Sequence, residues 1–232
     1  MLVTQIEELS RSRSRIFIDE QFAFVVYKGE LRSFHIRQGE ELDEESYERI
    51  MREILPKRAK LRAMNLLKSR DYTVKQLRDK LKAGGYPEEA IEEALAYVEG
   101  FHYTDDLRYA VGFIHRHEGS RSRRRIEQDL LGKGIDKATL EKAWAEWTAQ
   151  GGSQNEGRMI KELLAKKGFE PETAGQKERQ RMYGFLLRKG FSPDAVRRAV
   201  MGKDFFEECI YQRAEVYKSG IFDDRSGDAP DG

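Results

Sequence analysis

One apolar pattern recurs three times in this chain, and it constrains the fold more than any other feature. It begins with a triplet at helical spacing, found as Ala63, Leu66 and Leu67, as Ala110, Phe113 and Ile114, and as Ile160, Leu163 and Leu164. A second set with constant internal spacing follows, found as Leu77, Leu81, Tyr86, Ile91 and Leu95, as Ile126, Leu130, Ile135, Leu140 and Trp144, and as Met182, Leu186, Phe191, Val196 and Val200. A period of about fifty residues is typical of stacked helical repeats. The pattern therefore predicts three copies of a three-helix unit.

The first 37 residues differ from the repeats, because they contain short aromatic and β-branched runs at residues 16–18, 22–27 and 31–36. Turn-forming segments at 19–21 and 28–30 separate these runs, which predicts a small antiparallel meander. Alternation puts Phe22, Phe24 and Val26 on one face and Ala23, Val25 and Tyr27 on the other. Both faces then need partial cover, and we expect the helix capped by Asp43 to pack on the sheet. Pro56 ends or kinks that helix, or opens the next one.

Capping and stop signals delimit the repeat helices. They predict a capping box at Thr73 and Gln76, N-caps at Thr104 and Asp136, and helix ends at Gly84, Gly85, Gly100, Gly119 and Gly134. Residues 150–154 are interpreted as a short flexible break, and residues 169–174 as a loop inserted within the third unit.

The predicted fold class is all-α: a tandem array of three three-helix repeats, elongated and curved, with a small N-terminal antiparallel β meander. The predicted segments are a β-rich extension with its helix (1–56), repeat one (57–100), repeat two (101–150), repeat three (154–203), a C-terminal capping helix (204–222, with its amphipathic part at 205–217) and a disordered acidic tail (223–232).

Cysteine usage and hydropathy exclude several classes of protein. Cys209 is the single cysteine, which rules out an internal disulfide and fits a reducing compartment. The first fifteen residues contain no apolar core of a signal peptide, and the longest apolar run, 22–27, is too short to span a bilayer. We therefore expect a soluble cytoplasmic protein with no membrane association. We also predict that it is a monomer.

The formal net charge of +1 conceals a division along the chain. Residues 1–56 hold 8 basic against 12 acidic side chains and residues 223–232 hold 1 against 4, whereas residues 57–222 hold 33 against 25. The excess is concentrated in the second helix of each unit. Its basic side chains are Lys75, Arg78, Lys80 and Lys82 in the first unit, Arg121, Arg123, Arg124, Arg125 and Lys133 in the second, and Lys177, Arg179, Arg181, Arg188 and Lys189 in the third.

Two interpretations of these basic helices stay open. If equivalent helices lie on one side of the array, the side chains form a discontinuous cationic strip suited to phosphates or to the acidic surface of a protein polymer. Alternatively they are ordinary solvated faces, since helices tolerate Lys and Arg well. The run from Arg123 to Arg125 favours the first interpretation, because consecutive helical residues point in different directions and cannot all serve one neighbour.

The remaining polar clusters favour structural roles. His115 and His117 are two apart on a helix and share no face, which argues against a metal pair. Asp105 and Asp106 fit a helix start, the Gly132-Lys133-Gly134 segment fits a helix stop, and Trp144 and Trp147 occupy core positions. No nucleophile, base and orienting group can be assembled. We therefore predict no catalysis, no bound metal and no cofactor.

Several segments together resemble a known family. They are LLKSRDYTVKQLRDKLKAGGYPEEAIEEAL, FHYTDDLRYAVGFI, RRRIEQDLLGKGID and LLRKGFSPDAVRRAV, with landmarks at Asp105, Tyr109 and Ala110, at 133–135 and at 189–192. In this order they are similar to the successive units of the RecX family, regulators of the recombinase RecA, over residues 57–201. The longer inserted loop of repeat three and the Gly151-Gly152 break depart from the family pattern.

The resemblance implies a curved helical protein that lies in the groove of the RecA filament on DNA, bridges neighbouring protomers and restrains filament growth, strand exchange and coprotease function. It implies no catalytic residues. The basic surfaces of the family are matched here by Arg121, Arg123, Arg124, Arg125, Lys133, Arg188 and Lys189, to which the repeat pattern adds Lys75 and Arg78.

Two functional hypotheses follow. The first is a non-enzymatic RecA modulator that binds the RecA nucleoprotein filament, with possible direct contact to DNA. The second is a stand-alone helical nucleic-acid-binding module that uses the same arginines.

Overall fold

The computed structural model of the protein describes residues 1–201. Three strands open the chain: β1 (Val3–Ser10), β2 (Arg13–Ile18) and β3 (Gln21–Tyr27). Helices follow in the order α1 (Lys28–Ser33), α2 (Glu44–Arg49), α3 (Leu55–Leu67), α4 (Val74–Ala83), α5 (Glu88–Gly100), α6 (Asp106–His117), α7 (Arg123–Gly132), α8 (Lys137–Ala149), α9 (Glu156–Lys166), α10 (Gln176–Arg188) and α11 (Pro193–Val200). The predicted class, a mostly helical chain of three three-helix repeats behind a small antiparallel sheet, is confirmed.

The sheet has strand order β1-β2-β3 and is antiparallel throughout. Asp19 and Glu20 both adopt positive φ values, 47° and 66°, as a tight hairpin turn between twisted strands requires. The sequence did not predict β1, because this strand is mostly polar and only Val3 of it is fully buried.

The strand predicted at residues 31–36 is wrong. The chain instead forms α1, and the backbone N–H of Tyr27 donates to Oε2 of Glu30 at 2.7 Å at the start of that helix. The Lys28-Gly29-Glu30 segment, interpreted as a turn, is therefore the first turn of a helix. Local composition at this point fits either structure, and the capping contact of Glu30 favours the helix.

A β-bulge changes which side chains of β3 share a face. Ile16 pairs with Phe24 while Phe17 pairs with Phe22, so Ala23 is an extra residue in β3. The simple alternation, which placed Phe22 with Phe24 and Val26, is therefore wrong, because Phe22 shares a face with Val25 and Tyr27. The expectation that both faces need cover is confirmed, since Phe24, Val25 and Val26 are all buried.

The helix after Asp43 packs on the sheet as predicted. The Asp43 carboxylate accepts from the backbone N–H of Ser46 at 2.7 Å, and the Phe24 and Tyr47 rings lie 6.1 Å apart. A π-helical turn, Ile50–Ile54, joins α2 to α3, and Pro56 lies in the first turn of α3. Proline lacks the N–H that a regular helix would use there, so the irregular turn directly upstream is its expected companion.

Repeat one shares a continuous apolar core with the sheet. Phe24, Ile50, Ala59, Leu77 and Leu95 belong to a single cluster of buried side chains. The capping box at the start of α4 is present, with Thr73 and Gln76 exchanging hydrogen bonds of 3.2 Å. The N-terminal extension is thus not a separate domain in packing terms, because its inner face is covered by α2, the π-helical turn and α3.

The N-cap predicted at Thr104 is wrong by one residue. The backbone N–H of Arg108 donates to Oδ1 of Asp105 at 2.9 Å, so Asp105 caps α6. The hydroxyl of Thr104 is buried and donates instead to the backbone carbonyl of Tyr72 at 2.8 Å. Asp136 caps α8 as predicted, accepting from Thr139 N–H at 2.9 Å.

The chain divides into two compact units. The first contains Met1–Arg116 and Glu127–Gly152, and the second contains His117–Ile126 and the chain from Ser153 onward. In the second unit α9, α10 and α11 enclose their own core, to which Ile160, Phe169, Leu186 and Val200 contribute. Phe169 lies in the inserted loop between α9 and α10, so part of that insertion is anchored in the core.

The predicted capping helix, the acidic tail and Cys209 lie outside the described residues. The boundaries of the six sequence segments stay a prediction.

Candidate functional site

The first junction is the place where repeat two meets repeat one, and it lies within the first unit. The hydroxyl of Thr73, the N-cap of α4, donates to the backbone carbonyl of Lys133 at the end of α7, at 2.6 Å across 60 residues of sequence. Thr104, just before α6, donates to the carbonyl of Tyr72 at 2.8 Å. Two buried hydroxyls thus bond the N-terminal end of one second helix to the following repeat.

The second junction, between repeats two and three, lies within the second unit and reproduces these contacts. The hydroxyl of Ser122 donates to the carbonyl of Lys189 at the end of α10, at 2.8 Å across 67 residues. The amide of Gln154 donates to the carbonyls of Arg121 and Glu118 at 2.6 and 2.9 Å. Ser122 and Gln154 occupy the repeat positions of Thr73 and Thr104.

Each junction depends on a glycine with a positive φ. Gly134 at the first junction has φ 93° and Gly190 at the second has φ 85°. A Cβ at Gly134 would clash with the Cβ and stem of Lys75, and a Cβ at Gly190 would lie 2.7 Å from Oγ of Ser122. The lysine-glycine turns predicted as helix stops therefore also allow close approach to the preceding repeat.

The second junction gathers four of the basic residues predicted from the sequence. Arg121 and Arg125 of repeat two and Arg188 and Lys189 of repeat three line one cavity of about 610 Å³. Its other lining residues are Ser120, Ser122, Leu163, Phe185 and Phe191, so no carboxylate lines it. This arrangement suits a polyanion, because cations around a partly apolar pocket are poorly screened by solvent.

Phe185 contributes to this site in a way that the charge pattern did not predict. The Nζ atoms of Lys189 and Lys167 lie 5.7 and 5.5 Å from the centroid of its ring. Cation–π contacts of this kind hold lysine side chains in place at the surface. Lys167 was not predicted as a site residue, because it follows the first helix of its repeat and not the second.

The first junction has a different charge at the same repeat positions. Tyr72, Gln76 and Gly132 replace Arg121, Arg125 and Arg188, and only Lys133 keeps the charge of its equivalent, Lys189. The Nζ of Lys133 lies 5.6 Å from the centroid of the Phe113 ring.

A carboxylate is built into the first junction. Oδ1 of Asp106 accepts from the backbone N–H of Val74 at 2.9 Å, which caps α4 from the following repeat. Burial raises the pKa of Asp106, as do Asp105 and Asp136, while the hydrogen bond from Val74 opposes the rise. The first junction therefore binds a helix N-terminus with its own anion and is less suited to an external one.

The other predicted site residues are not gathered in the second-junction cavity. Lys75 pairs with Asp79 at 3.0 Å, and Arg78 forms ion pairs with Glu88 and Glu92, of which the bond to Glu92 contributes most to raising the pKa of Arg78. Arg123 and Arg124 lie exposed at the start of α7 and do not line that cavity. Four members of the discontinuous strip considered in the sequence analysis are thus gathered at the second junction, and the others lie elsewhere.

The other residues considered as candidate ligands or stacking groups make structural contacts. Trp144 and Trp147 are buried, as predicted, and their rings pack edge to face with centroids 5.2 Å apart. Nε2 of His115 lies 3.0 Å from Oε1 of Gln150. Between residues 1 and 201, no group of three or more His, Cys, Asp or Glu side chains is arranged to hold a metal ion.

Over the same residues, no helix combines the length and the apolar character needed to cross a membrane.

The fold and the junctions define a helical-repeat protein whose units are joined by buried hydroxyl contacts and which carries a cationic cavity at its second junction. The family models for the first, second and third three-helix domains of RecX match residues 59–97, 105–143 and 156–200. These matches cover more than half of the chain, so the chain belongs to the RecX family.

Individual relatives support the same assignment. The chain is 31% identical over 202 residues to a regulatory protein RecX of Caldanaerobacter subterraneus subsp. tengcongensis, covering 86% of this chain and 98% of the relative. It is 34% identical over 139 residues to a regulatory protein RecX of Vibrio vulnificus, covering 60% and 88%. A crystal structure of a regulatory protein RecX superposes with a TM-score of 0.55 at 24% identity, over 85% of this chain and 98% of that one, which shows a shared fold.

Proposed function

We propose that this protein is a non-enzymatic modulator of RecA, most simply an inhibitor, which binds in the groove of the RecA–DNA filament. There it restrains filament growth, strand exchange and coprotease activity. It acts as a cytoplasmic monomer without a cofactor. Its relatives in Caldanaerobacter subterraneus subsp. tengcongensis and Vibrio vulnificus are named regulatory protein RecX, which supports the regulatory role.

The observation that carries this proposal is the convergence of Arg121, Arg125, Arg188 and Lys189 around one cavity with no carboxylate in its lining. A RecA filament on DNA is a polymer that repeats the same surface at a regular spacing, and its DNA carries phosphates. A protein with several linked contacts along such a polymer gains avidity and obstructs the addition or movement of subunits.

The first experiment measures RecA ATP hydrolysis on single-stranded DNA while the protein is titrated in. We expect a saturable fall in hydrolysis together with shorter filaments in electron micrographs. Unchanged hydrolysis and filament length at saturating protein would reject the proposal.

The second experiment tests the cavity. Replacing Arg121, Arg125, Arg188 and Lys189 together by Ala should weaken binding to the filament roughly 100-fold, since four contacts of about 0.7 kcal/mol each sum to that factor. The matched control replaces the exposed Lys137, Lys142, Lys161 and Lys177 by Ala, which removes the same charge, and should cost less than about threefold. Equal losses in the two variants would mean that net charge, and not this cavity, is recognised.

The exposed arginine run needs a separate variant. Replacing Arg123, Arg124 and Arg125 together by Ala should leave thermal stability nearly unchanged and weaken filament binding. Unchanged binding would assign Arg123 and Arg124 to a solvated helix face.

The second candidate function is a stand-alone nucleic-acid-binding module, which the same cavity favours because its cations suit phosphates from any source. The two functions differ in the role of RecA. If bare DNA binds as tightly as the filament, with a steep dependence on salt, the stand-alone module is the better description.

A further inference from the structure

A second basic groove lies on the first unit, away from the repeat junctions. Its volume is about 580 Å³, and it is formed by the end of β3, one side of α3 and the turn before α5. Tyr27, Tyr86, Lys57, Leu61 and Arg62 line it. Neither the repeat pattern nor the family resemblance assigns a role to this region.

Ring surface is exposed at and beside this groove. Tyr27 is 43% exposed and Phe22 is 46% exposed, and the bulge at Ala23 places both on the same face of the sheet. Without that bulge, Phe22 would point into the core. Leu61, in the second turn of α3, is 61% exposed. Exposed aromatic rings on a strand face are an unusual use of surface, because burying them would stabilise the fold.

Arg58 holds Tyr27 in position. Its guanidinium carbon lies 4.5 Å from the centroid of the Tyr27 ring, and it donates to the carbonyl of Val25 at 3.3 Å. An ion pair with Glu30 completes its contacts. Arg58 is therefore a positioning residue, and its charge is already neutralised by Glu30.

Three other cations surround the groove. Arg13 pairs directly with Tyr27 across β2 and β3, and Lys57 and Arg62 are exposed on α3. Burial raises the pKa of the Tyr86 hydroxyl, and the charges of Arg58, Arg62 and Arg13 oppose that rise, which shows that these guanidinium groups lie near it. Across the described part of the chain, Arg13, Lys57 and Arg62 form no salt bridge with a carboxylate.

No carboxylate lines the groove, and Glu30 beside it is already paired with Arg58. Arg13, Lys57 and Arg62 therefore leave an excess of positive charge at this surface, which favours the binding of an anion.

We propose that this groove binds single-stranded nucleic acid, with Lys57, Arg62 and Arg13 contacting phosphates and the Tyr27 and Phe22 rings stacking against bases. Single strands offer both the phosphate charge and the π-face of each base, whereas a duplex hides its base faces in the stack. The proposal is independent of RecA, because its test contains no RecA.

The test measures binding of fluorescein-labelled oligodeoxythymidylate of twenty nucleotides to the full chain by anisotropy. The groove variant replaces Arg13, Lys57 and Arg62 by Ala, and the matched control replaces Arg32, Arg37 and Arg52, three exposed arginines of the same region. We expect a loss of at least about tenfold for the groove variant, and a reduction of the salt slope by about 2, since each single-strand phosphate contact contributes about 0.7. The control should lose less than about twofold.

A second variant, Tyr27→Leu, tests the stacking. It keeps apolar surface at this position and should weaken oligodeoxythymidylate binding about fivefold while leaving the affinity for a twenty-base-pair duplex unchanged. Circular dichroism melts of all variants establish that each is folded. Equal losses on single strand and duplex would overturn the assignment to single strands.

The position of the bound oligonucleotide on the protein is tested by photo-crosslinking with an oligonucleotide that contains 5-iododeoxyuridine. Mass spectrometry should place crosslinks at Phe22, Tyr27 or Tyr86. Crosslinks confined to the second junction, or a groove variant that binds like the control, would overturn the proposal, and the latter would leave an acidic protein surface as the partner of the groove. Neither result bears on RecA binding by the second-junction cavity.

Discussion

The two repeat junctions share a geometry and differ in charge. At each, a buried hydroxyl at the start of one second helix donates to the carbonyl of a lysine that ends the next one, at 2.6 Å from Thr73 and 2.8 Å from Ser122. At the first junction Lys133 is the only cation among the four equivalent positions and Asp106 caps α4, whereas four cations line the second junction. The shared hydroxyl–carbonyl hydrogen bonds join the repeats, and the positions that differ in charge are available for binding a partner.

A repeat protein joined in this way need not bind a partner with every repeat. The joining contacts involve backbone carbonyls, small hydroxyl residues and glycines, so they place no demand on the charged positions beside them. Charge can therefore change at one junction without loss of assembly. Changes to the shared joining contacts should therefore have larger effects than changes to the charged positions.

The largest effects are expected at the junction glycines. Gly134→Ala and Gly190→Ala each combine a positive φ with a close contact, and each should lower the free energy of unfolding by about 3 kcal/mol. Gly132→Ala is the matched control, because a Cβ there meets nothing within 4 Å, and it should be neutral or stabilising by about 0.5 kcal/mol. Urea denaturation of the three variants measures these changes in the free energy of unfolding. A small cost at only one of the two junction glycines would show that the geometry is not shared.

The buried hydroxyls should have the next largest effect. Thr73→Val and Ser122→Ala each leave a lysine carbonyl without its donor and remove a helix cap, which should cost about 2 kcal/mol at either junction. Thr4→Val is a control for replacing a hydroxyl by a methyl group, because the Thr4 hydroxyl is only half-buried. It should cost less than about 1 kcal/mol of unfolding free energy. Amide hydrogen exchange should increase at the start of α4 in the first variant and at the start of α7 in the second. Exchange that is unchanged at those positions would contradict the role assigned to the hydroxyls.

Adding positive charge to the first junction tests the contrast in charge between the two junctions. Gln76→Arg with Gly132→Arg gives the first junction two of the cations found at the second, and should raise affinity for the RecA filament about fivefold, or roughly 1 kcal/mol. The control adds two arginines at Gln128 and Ala145, which are exposed elsewhere on the same unit. If both pairs raise affinity alike, the position of the charge at a junction has no importance.

The smallest effect concerns pH. Burial raises the pKa of Asp106 in the folded state, so between its unfolded and folded pKa values the folded protein binds more protons than the unfolded chain. Stability should therefore fall as pH rises through the folded pKa, by less than about 1 kcal/mol. Asp106→Asn keeps an oxygen to accept from Val74 and should flatten this part of the stability profile. Glu156→Gln, at the equivalent position of the second junction, serves as the comparison, and a profile that is equally steep with and without Asp106 would contradict the assignment.

Much of the core followed directly from the sequence. Ile126, Leu130 and Leu186 were chosen by spacing alone, and each is fully buried. The caps at Asp43 and Asp136 also followed, because a cap is a contact between residues three apart and leaves a local signature. The two errors in the N-terminal region arose where the local sequence fits more than one structure. Residues 31–36 fit a strand by composition, and one extra residue at Ala23 moved Phe22 to the other face.

The sequence by itself determined the number of repeats, their core positions, their helix ends and the excess of basic residues in the second helices, since all of these are encoded at short range or by periodicity. Only the tertiary structure decided that Arg121 and Arg125 would meet Arg188 and Lys189, that Asp106 would serve another repeat's helix, and that Tyr27 would face Arg58. Those contacts join residues about 30 to 70 positions apart, where no propensity or spacing rule operates, and packing alone selects the partner.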